Sequence, residues 1–224
     1  MADLAALTKA IEDGDRTSAV LHTTQAIEAG LQPQTILDAM TAAMEVIGGK
    51  FQRGEIYVPE MLISARAMKE ATAKLEPVLA RAGIRPEARA VLGTIKGDLH
   101  DIGKNLVGMM WKGANIEVFD LGTNVTAERF VEAVREHDAH LVGVSALLTT
   151  TMVGMGEVVT AIRAADLGNV KIIVGGAPVT AEYASKIGAD GYAPDAGSAV
   201  EVAKRALGHA VGAGRQGLDQ DQPA

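Results

Sequence analysis

Gly97-Asp98-Leu99-His100-Asp101-Ile102-Gly103-Lys104 sets one imidazole between two carboxylates in a single short segment. A histidine with an aspartate two residues before it can offer one ring nitrogen to a metal, while the carboxylate takes the proton on the other. The spacing excludes other uses of such a segment. A phosphate-binding loop needs Gly, four residues, then Gly-Lys-Ser/Thr. Here five residues separate Gly97 from Gly103, and Asn105 follows Lys104. The two aspartates would also meet an incoming phosphate with like charge, and no Gly-x-Gly-x-x-Gly follows. From these eight residues alone two readings stand: a ligand with its orienting carboxylate, or a helix start capped by Asp98 and Asp101 with His100 on the loop.

The flanking residues say what must hold the segment. Ala90-Val91-Leu92-Gly93-Thr94-Ile95 reads as a buried strand, and Asn105 to Trp111 as the apolar side of a helix. In an open α/β sheet, a strand-to-helix loop lies at the carboxyl end of its strand, where such folds bind ligands. From Arg89 onward the pattern alternates. Strands are expected at 89–95, 115–119, 140–145, 170–174 and 189–192, and helices at 101–113, 126–137, 151–165, 180–187 and 195–207. Such alternation implies a parallel sheet covered on both faces.

Before it, residues 3 to about 80 read as helix. Leu4, Leu7 and Ile11 recur at helical spacing; Asp15 caps a second helix; Pro33 and Pro59 suit the first turns of a third and a fourth. Gly48-Gly49 is expected to loosen the end of the third. Four amphipathic helices with short turns suggest a small bundle. Pro77, Gly83 and Pro86 place a linker at about 80–88. The expected division is therefore 1–88 helical with linker, 89–208 α/β, and a Gly-, Gln-, Asp- and Ala-containing tail, 209–224, expected to be disordered.

Composition narrows the classes. The chain of 224 residues is 48% hydrophobic and 22% charged, with net charge -7. This fits a globular protein with ample core and argues against nucleic acid as a partner. The absence of cysteine removes disulfides, iron–sulfur clusters and thiolate zinc sites together. The acidic, amphipathic start is unlike a signal peptide, and no apolar run has the length of a membrane span. The expected setting is cytoplasmic, with no membrane partner.

Three segments in order resemble cobalamin-binding domains. Asp98-x-His100-x-x-Gly103 resembles the Asp-x-His-x-x-Gly signature. Ser145-Ala146-Leu147-Leu148-Thr149-Thr150-Thr151 is similar to the Ser-x-Leu element, and Gly175-Gly176-Ala177 to the Gly-Gly element. Gly54-Glu55-Ile56-Tyr57-Val58-Pro59-Glu60, followed by Ser64-Ala65-Arg66-Ala67-Met68-Lys69, resembles the helical cap of methionine synthase and of the small corrinoid proteins of methanol, methylamine and aryl-ether methyltransferase systems. The resemblance covers about residues 1–207. It implies an α/β fold: a four-helix bundle cap followed by a flavodoxin-like (Rossmann-like) five-stranded parallel sheet in the order 2-1-3-4-5.

The resemblance also implies a chemistry. Cobalamin, in its methyl form or as a related corrinoid, would be bound base-off with His100 as the lower ligand of cobalt. Asp98 would take the other ring proton, and Thr151, where the pattern often has Ser, would continue the relay. Gly97, Leu99, Asp101, Ile102 and Gly103 would complete the loop. Ser145, Leu147 and Thr149 would meet the nucleotide tail; Gly175, Gly176 and Ala177 would let it approach the backbone; Tyr192 and Ala196 would line its pocket. Apart from the resemblance, Ser145 and Thr149 also read as a helix cap and Gly175-Gly176 as a turn before Pro178. Phe51, Tyr57 and Val58 are candidates for the upper face of the corrin, or else bundle core, and the linker would act as the cap's hinge.

The implied activity is a corrinoid methyl carrier, not a complete enzyme. One substrate-specific methyltransferase would load it, a second would pass the methyl to a thiol or tetrahydrofolate, and a reductive activase would serve the pair. The alternatives are a cobalamin-binding sensor or regulator, a mutase small subunit, and a metal hydrolase built on His100, Asp98 and Asp101. Other histidines are set aside: His22 as solvated or capping, His137 and His140 as lying at the amino end of a strand, His209 as part of the tail. Trp111 reads as helix–sheet packing, and Met152 and Met155 as core.

Overall fold

The computed structural model describes residues 3–208; Met1, Ala2 and the expected tail at 209–224, with His209, lie outside the described residues. Four helices come first: α1 (Leu4–Glu12), α2 (Arg16–Glu28), α3 (Pro33–Gln52) and α4 (Val58–Arg81). Short polar residues start the first two. Asp3 accepts the Ala6 amide and Asp15 the Ser18 amide, satisfying donors that a helix start leaves free. No described helix is long and apolar enough to cross a membrane.

Then strand and helix alternate: β1 (Ala88–Thr94), α5 (Ile102–Gly113), β2 (Ile116–Asp120), α6 (Ala127–His137), β3 (Leu141–Ser145), α7 (Thr149–Met152), α8 (Met155–Ala164), β4 (Lys171–Gly175), α9 (Ala181–Lys186), β5 (Gly191–Ala193) and α10 (Ala196–Ala206). The five strands are parallel, in the order β2-β1-β3-β4-β5. Chain direction across the sheet reverses between β1 and β3, which makes that gap the switch point where open α/β sheets hold ligands. The register makes the strand ends level. Thr94 pairs with Ser145, Ser145 with Gly175, and Gly175 with Ala193. Four loops therefore leave the sheet along one line, and one ligand can touch all of them.

Two apolar layers cover the sheet. One holds Val91, Val142, Val144, Ile172 and Val174 against Phe130, Val134, Val158 and Ile162. The other joins Ala90, Leu92 and Leu141 to Met110 and Trp111 of α5, Ala199 and Ala203 of α10, and the core of the helical bundle, including Met40, Met44 and Leu75. The bundle thus shares one continuous core with a face of the sheet.

Four local expectations change. The helix expected at 151–165 is two, because α7 stops at Met152 and Gly154, where a Cβ would come 3.3 Å from the Ile95 side chain, starts α8. Gly48-Gly49 does not loosen α3, which runs on to Gln52. A Cβ at Gly197 would come 2.8 Å from the Gly48 carbonyl oxygen, so these glycines let α3 and α10 touch backbone to backbone. Pro77 lies inside α4, leaving 82–87 as the connection to β1. His22 is half-buried rather than solvated, and its Nδ1 is buried without a partner.

Candidate functional site

Asp98 sits at the centre of the level strand ends. It is wholly buried and its two oxygens face different loops. Oδ1 accepts the His100 amide at 3.1 Å and lies 2.7 Å from His100 Nδ1. Oδ2 accepts the Leu147 amide at 2.8 Å, the Leu148 amide at 3.3 Å and the Thr151 hydroxyl at 2.7 Å. Burial by itself pushes this carboxyl up. The Leu147 amide, the Thr151 hydroxyl and the amide and ring of His100 outweigh it and hold the group well below the usual carboxylate range. An ionised carboxylate only accepts, so Nδ1 of His100 must carry the proton. In the neutral ring the lone pair then lies on Nε2, on a side chain that is 53% exposed.

The residues around His100 are apolar and open. Leu99 is 73% and Ile102 75% exposed, with Leu147, Leu148 and Val153 also uncovered. Several large apolar side chains around one exposed imidazole form the kind of patch that marks a binding surface. Beside it a cavity of about 510 Å³ runs between the loops that follow β1, β3, β4 and β5. Leu99, His100, Asp101, Ile102, Gly103, Ser145, Leu147, Gly175, Gly176, Ala177 and Ala196 line it. Glycine is required at two of these positions. A Cβ at Gly176, whose φ is 121°, would overlap the Ala146 carbonyl oxygen; at Gly175 it would lie 2.7 Å from that of Ala193.

Other candidates stand elsewhere. Asp98 and Thr151 are behind His100 rather than on the cavity wall. Gly97, with φ 84°, turns the chain out of β1. Thr149 is exposed at the start of α7 and is not among the residues lining the cavity. Tyr192 packs against the sheet layer with Val174, although its neighbours Ala193, Pro194 and Asp195 line the cavity. Tyr57 is 69% exposed, not bundle core, and Val58 packs against the bundle core. Asp101 precedes α5 without a side-chain cap bond and accepts from Asn105 at 3.1 Å. His140 Nδ1 accepts the Arg89 amide and His137 stacks on Phe119. Among the described residues no cluster of three or more His, Cys, Asp or Glu could hold a metal ion.

Sequence reasoning missed several neighbours. Leu92, Trp111, Gly143 and Ile173 reach the cavity, where Phe51 of α3, a candidate from the sequence, also stands. Trp111 lies over Gly143, where a Cβ would meet its ring, and donates from Nε1 to Ala199 O at 3.0 Å. Lys104, almost fully buried, holds Asp120 at 2.5–2.6 Å and Asn105 at 2.7 Å. A buried lysine next to an aspartate-rich loop was the available signal, but only the sheet order brings Asp120 beside it.

Known proteins resemble this chain over most of its length. Residues 88–201 match one B12 binding domain model, and residues 4–76 match a second, also described as a B12 binding domain. A corrinoid protein of Desulfitobacterium hafniense is 40% identical over 207 residues, covering 90% of this chain and 96% of the relative. Dimethylamine corrinoid protein 3 of Methanosarcina acetivorans is 37% identical over 212 residues, covering 92% and 100%. Among solved structures, a cobalamin-binding protein from D. hafniense superposes with a TM-score of 0.78 at 31% identity, covering 92% of this chain and 99% of that one. A chain of the methanol:cobalamin methyltransferase complex of Methanosarcina barkeri superposes with 0.80 at 29%, covering 92% and 79%. With both domain models matched in chain order and relatives spanning nearly its full length, this chain belongs to the B12-binding family.

Proposed function

We propose that this protein is a corrinoid methyl carrier, binding cobalamin or a related corrinoid base-off with His100 as the lower ligand. It would take a methyl group from a substrate-specific methyltransferase and yield it to a second one acting on a thiol or tetrahydrofolate, with a reductive activase maintaining the cofactor. The observation that carries the reading is the exposed His100 ring whose Nδ1 is committed to buried Asp98, which leaves Nε2 for a metal.

The residues present fit such a group. The apolar patch of Leu99, Ile102 and Leu147 suits a broad flat face, and Gly103, where a Cβ would meet open space, keeps that approach clear. The cavity beyond Ser145 and Gly176 offers depth for a nucleotide tail. The relatives named above, with dimethylamine and methanol systems among them, support the methyl-transfer setting. When bound, the corrinoid supplies a cobalt that accepts and releases a methyl group.

The chain's own residues then have distinct tasks. His100 would hold the metal through Nε2, with Asp98 fixing the ring's tautomer and direction. When not holding the metal, Nε2 would be free to take a proton, and Asp98 would stabilise the imidazolium through a charge-assisted hydrogen bond. Thr151 keeps Asp98 ionised and oriented. Phe51, Tyr57 and Val58 would stand on the methyl side, with the connection at 82–87 as the hinge of the bundle. The test is an electron spin resonance spectrum of the cobalt(II) form of protein reconstituted with cobalamin and carrying nitrogen-15 histidine. A changed nitrogen splitting, lost in His100→Ala, is expected; no change on labelling would overturn the reading.

A further inference from the structure

The Asp98–His100 loop is held from a third direction, by the connection between β2 and α6. Asn124 lies there with a left-handed backbone, φ 57°. Its amide donates to Asp98 O at 3.0 Å, and its side-chain Oδ1 accepts the Gly97 amide at 2.8 Å. The same connection is stitched to the end of β1: Thr94 N donates to Gly122 O and Val125 N to Thr94 O, each at 2.9 Å. The buried Thr94 hydroxyl donates in turn to His100 O at 2.9 Å. Three main-chain groups of the loop are thus fixed by residues outside the Asp98–Thr151 contact, two of them by Asn124 alone.

This matters because the His100 ring is exposed and packing does not orient it. Its direction comes from the bond to Asp98, and Asp98's place comes from the main chain on either side. Glycine takes a left-handed backbone at less cost than asparagine. What asparagine adds at this position is the acceptor for Gly97. We infer that Asn124 is a positioning residue for His100, acting on cofactor binding through the Gly97–Asp98 main chain. The inference rests on the methyl-carrier reading above.

The test is a cycle of cobalamin dissociation constants on the full-length protein: wild type, Asn124→Gly, Asn124→Asp, His100→Ala and the Asn124→Gly/His100→Ala double variant. Asn124→Gly keeps the backbone and removes the acceptor. It is expected to weaken binding about three- to tenfold, the equivalent of one neutral hydrogen bond. Asn124→Asp retains the acceptor and is expected to stay within about twofold of wild type by the same measure. In the His100→Ala background the Asn124→Gly change should have no further effect, since a coupled pair is non-additive. Equal weakening in both backgrounds, or in Asn124→Asp, would show a general structural role and overturn the inference. Unchanged binding in Asn124→Gly would do the same while leaving the carrier reading intact. If His100→Ala itself binds cobalamin as wild type does, the carrier reading fails and the inference with it.

Discussion

The Thr151 hydroxyl donates to Asp98 Oδ2 at 2.7 Å across a separation of 53 residues. It ties the loop after β3 to the loop after β1, and it meets the oxygen of Asp98 that does not touch His100. The buried carboxylate is thereby shared, one oxygen for each loop. Leu148 O lies 3.0 Å from the same hydroxyl and is its alternative acceptor.

Thr151→Val keeps the side chain's volume and removes its donor. The buried Asp98 then lacks one of its partners, which costs about 1–2 kcal/mol. Thr151→Ser restores the donor and should recover most of that. Urea unfolding of the apo protein measures both, and a loss in Ser with none in Val would show that the methyl, not the hydroxyl, matters.

Asp98 also makes stability depend on acid. Its carboxyl is held below the ordinary value in the folded state, so the unfolded chain binds its proton first as pH falls. The contribution is fully present above about pH 4, the ordinary aspartate range, and is lost progressively as pH drops towards the folded-state value. Asp98→Asn should flatten the pH dependence of unfolding free energy below pH 4 by up to about 1.4 kcal/mol per pH unit. Parallel curves for the two proteins would refute this.

Two glycines should respond in opposite ways. Gly176→Ala drives a Cβ into backbone at a positive φ, and should destabilise the apo protein by about 3 kcal/mol. Gly103→Ala puts a Cβ into open space at the start of α5, and should leave the apo protein as stable or raise it by up to about 1 kcal/mol. Yet Gly103→Ala should bind cobalamin more weakly, because the added methyl stands on the cavity wall. Thermal melts and cobalamin titrations separate the two effects; undiminished binding by Gly103→Ala would remove Gly103 from the cofactor surface.

The seam between α3 and α10 should govern how firmly the bundle is docked. Gly197→Val would put a Cβ 2.8 Å from the Gly48 carbonyl oxygen and should prise the helices apart. Trypsin should then cut the connection at 82–87, which contains Arg85, several-fold faster than in wild type. Removing the Lys204–Glu45 pair, whose carboxylate is exposed to water, should matter less, as screened ion pairs contribute little. An unchanged rate in Gly197→Val would assign the docking to the remaining apolar core.

Much of the fold was legible because its signals are local. The alternation after Arg89 comes from short apolar runs separated by turn residues, and Asp15, Pro33 and Pro59 mark helix starts by their own chemistry. Where a glycine's role depends on a distant partner, the local signal misled. Gly48 reads as a helix breaker, but its lack of a side chain serves contact with Gly197, about 150 residues away. Gly154 hides inside an apolar helical pattern, and only its contact with Ile95 shows the break between α7 and α8.

By itself, the sequence determined the chemistry available: one His with an Asp two residues earlier, a hydroxyl-rich stretch, a glycine pair, and four helices ahead of five strand–helix units. It did so because side-chain identity and near-neighbour spacing are written directly in the chain. The tertiary structure decided which groups meet. Strand order and level strand ends placed Thr151 and the Leu147 amide on Asp98, brought Phe51 to the cavity, and packed Tyr192 against the opposite sheet layer. It also placed Asn124 and Asp120 beside the His100 loop, since β2 pairs with β1 through backbone hydrogen bonds whose register no single residue encodes.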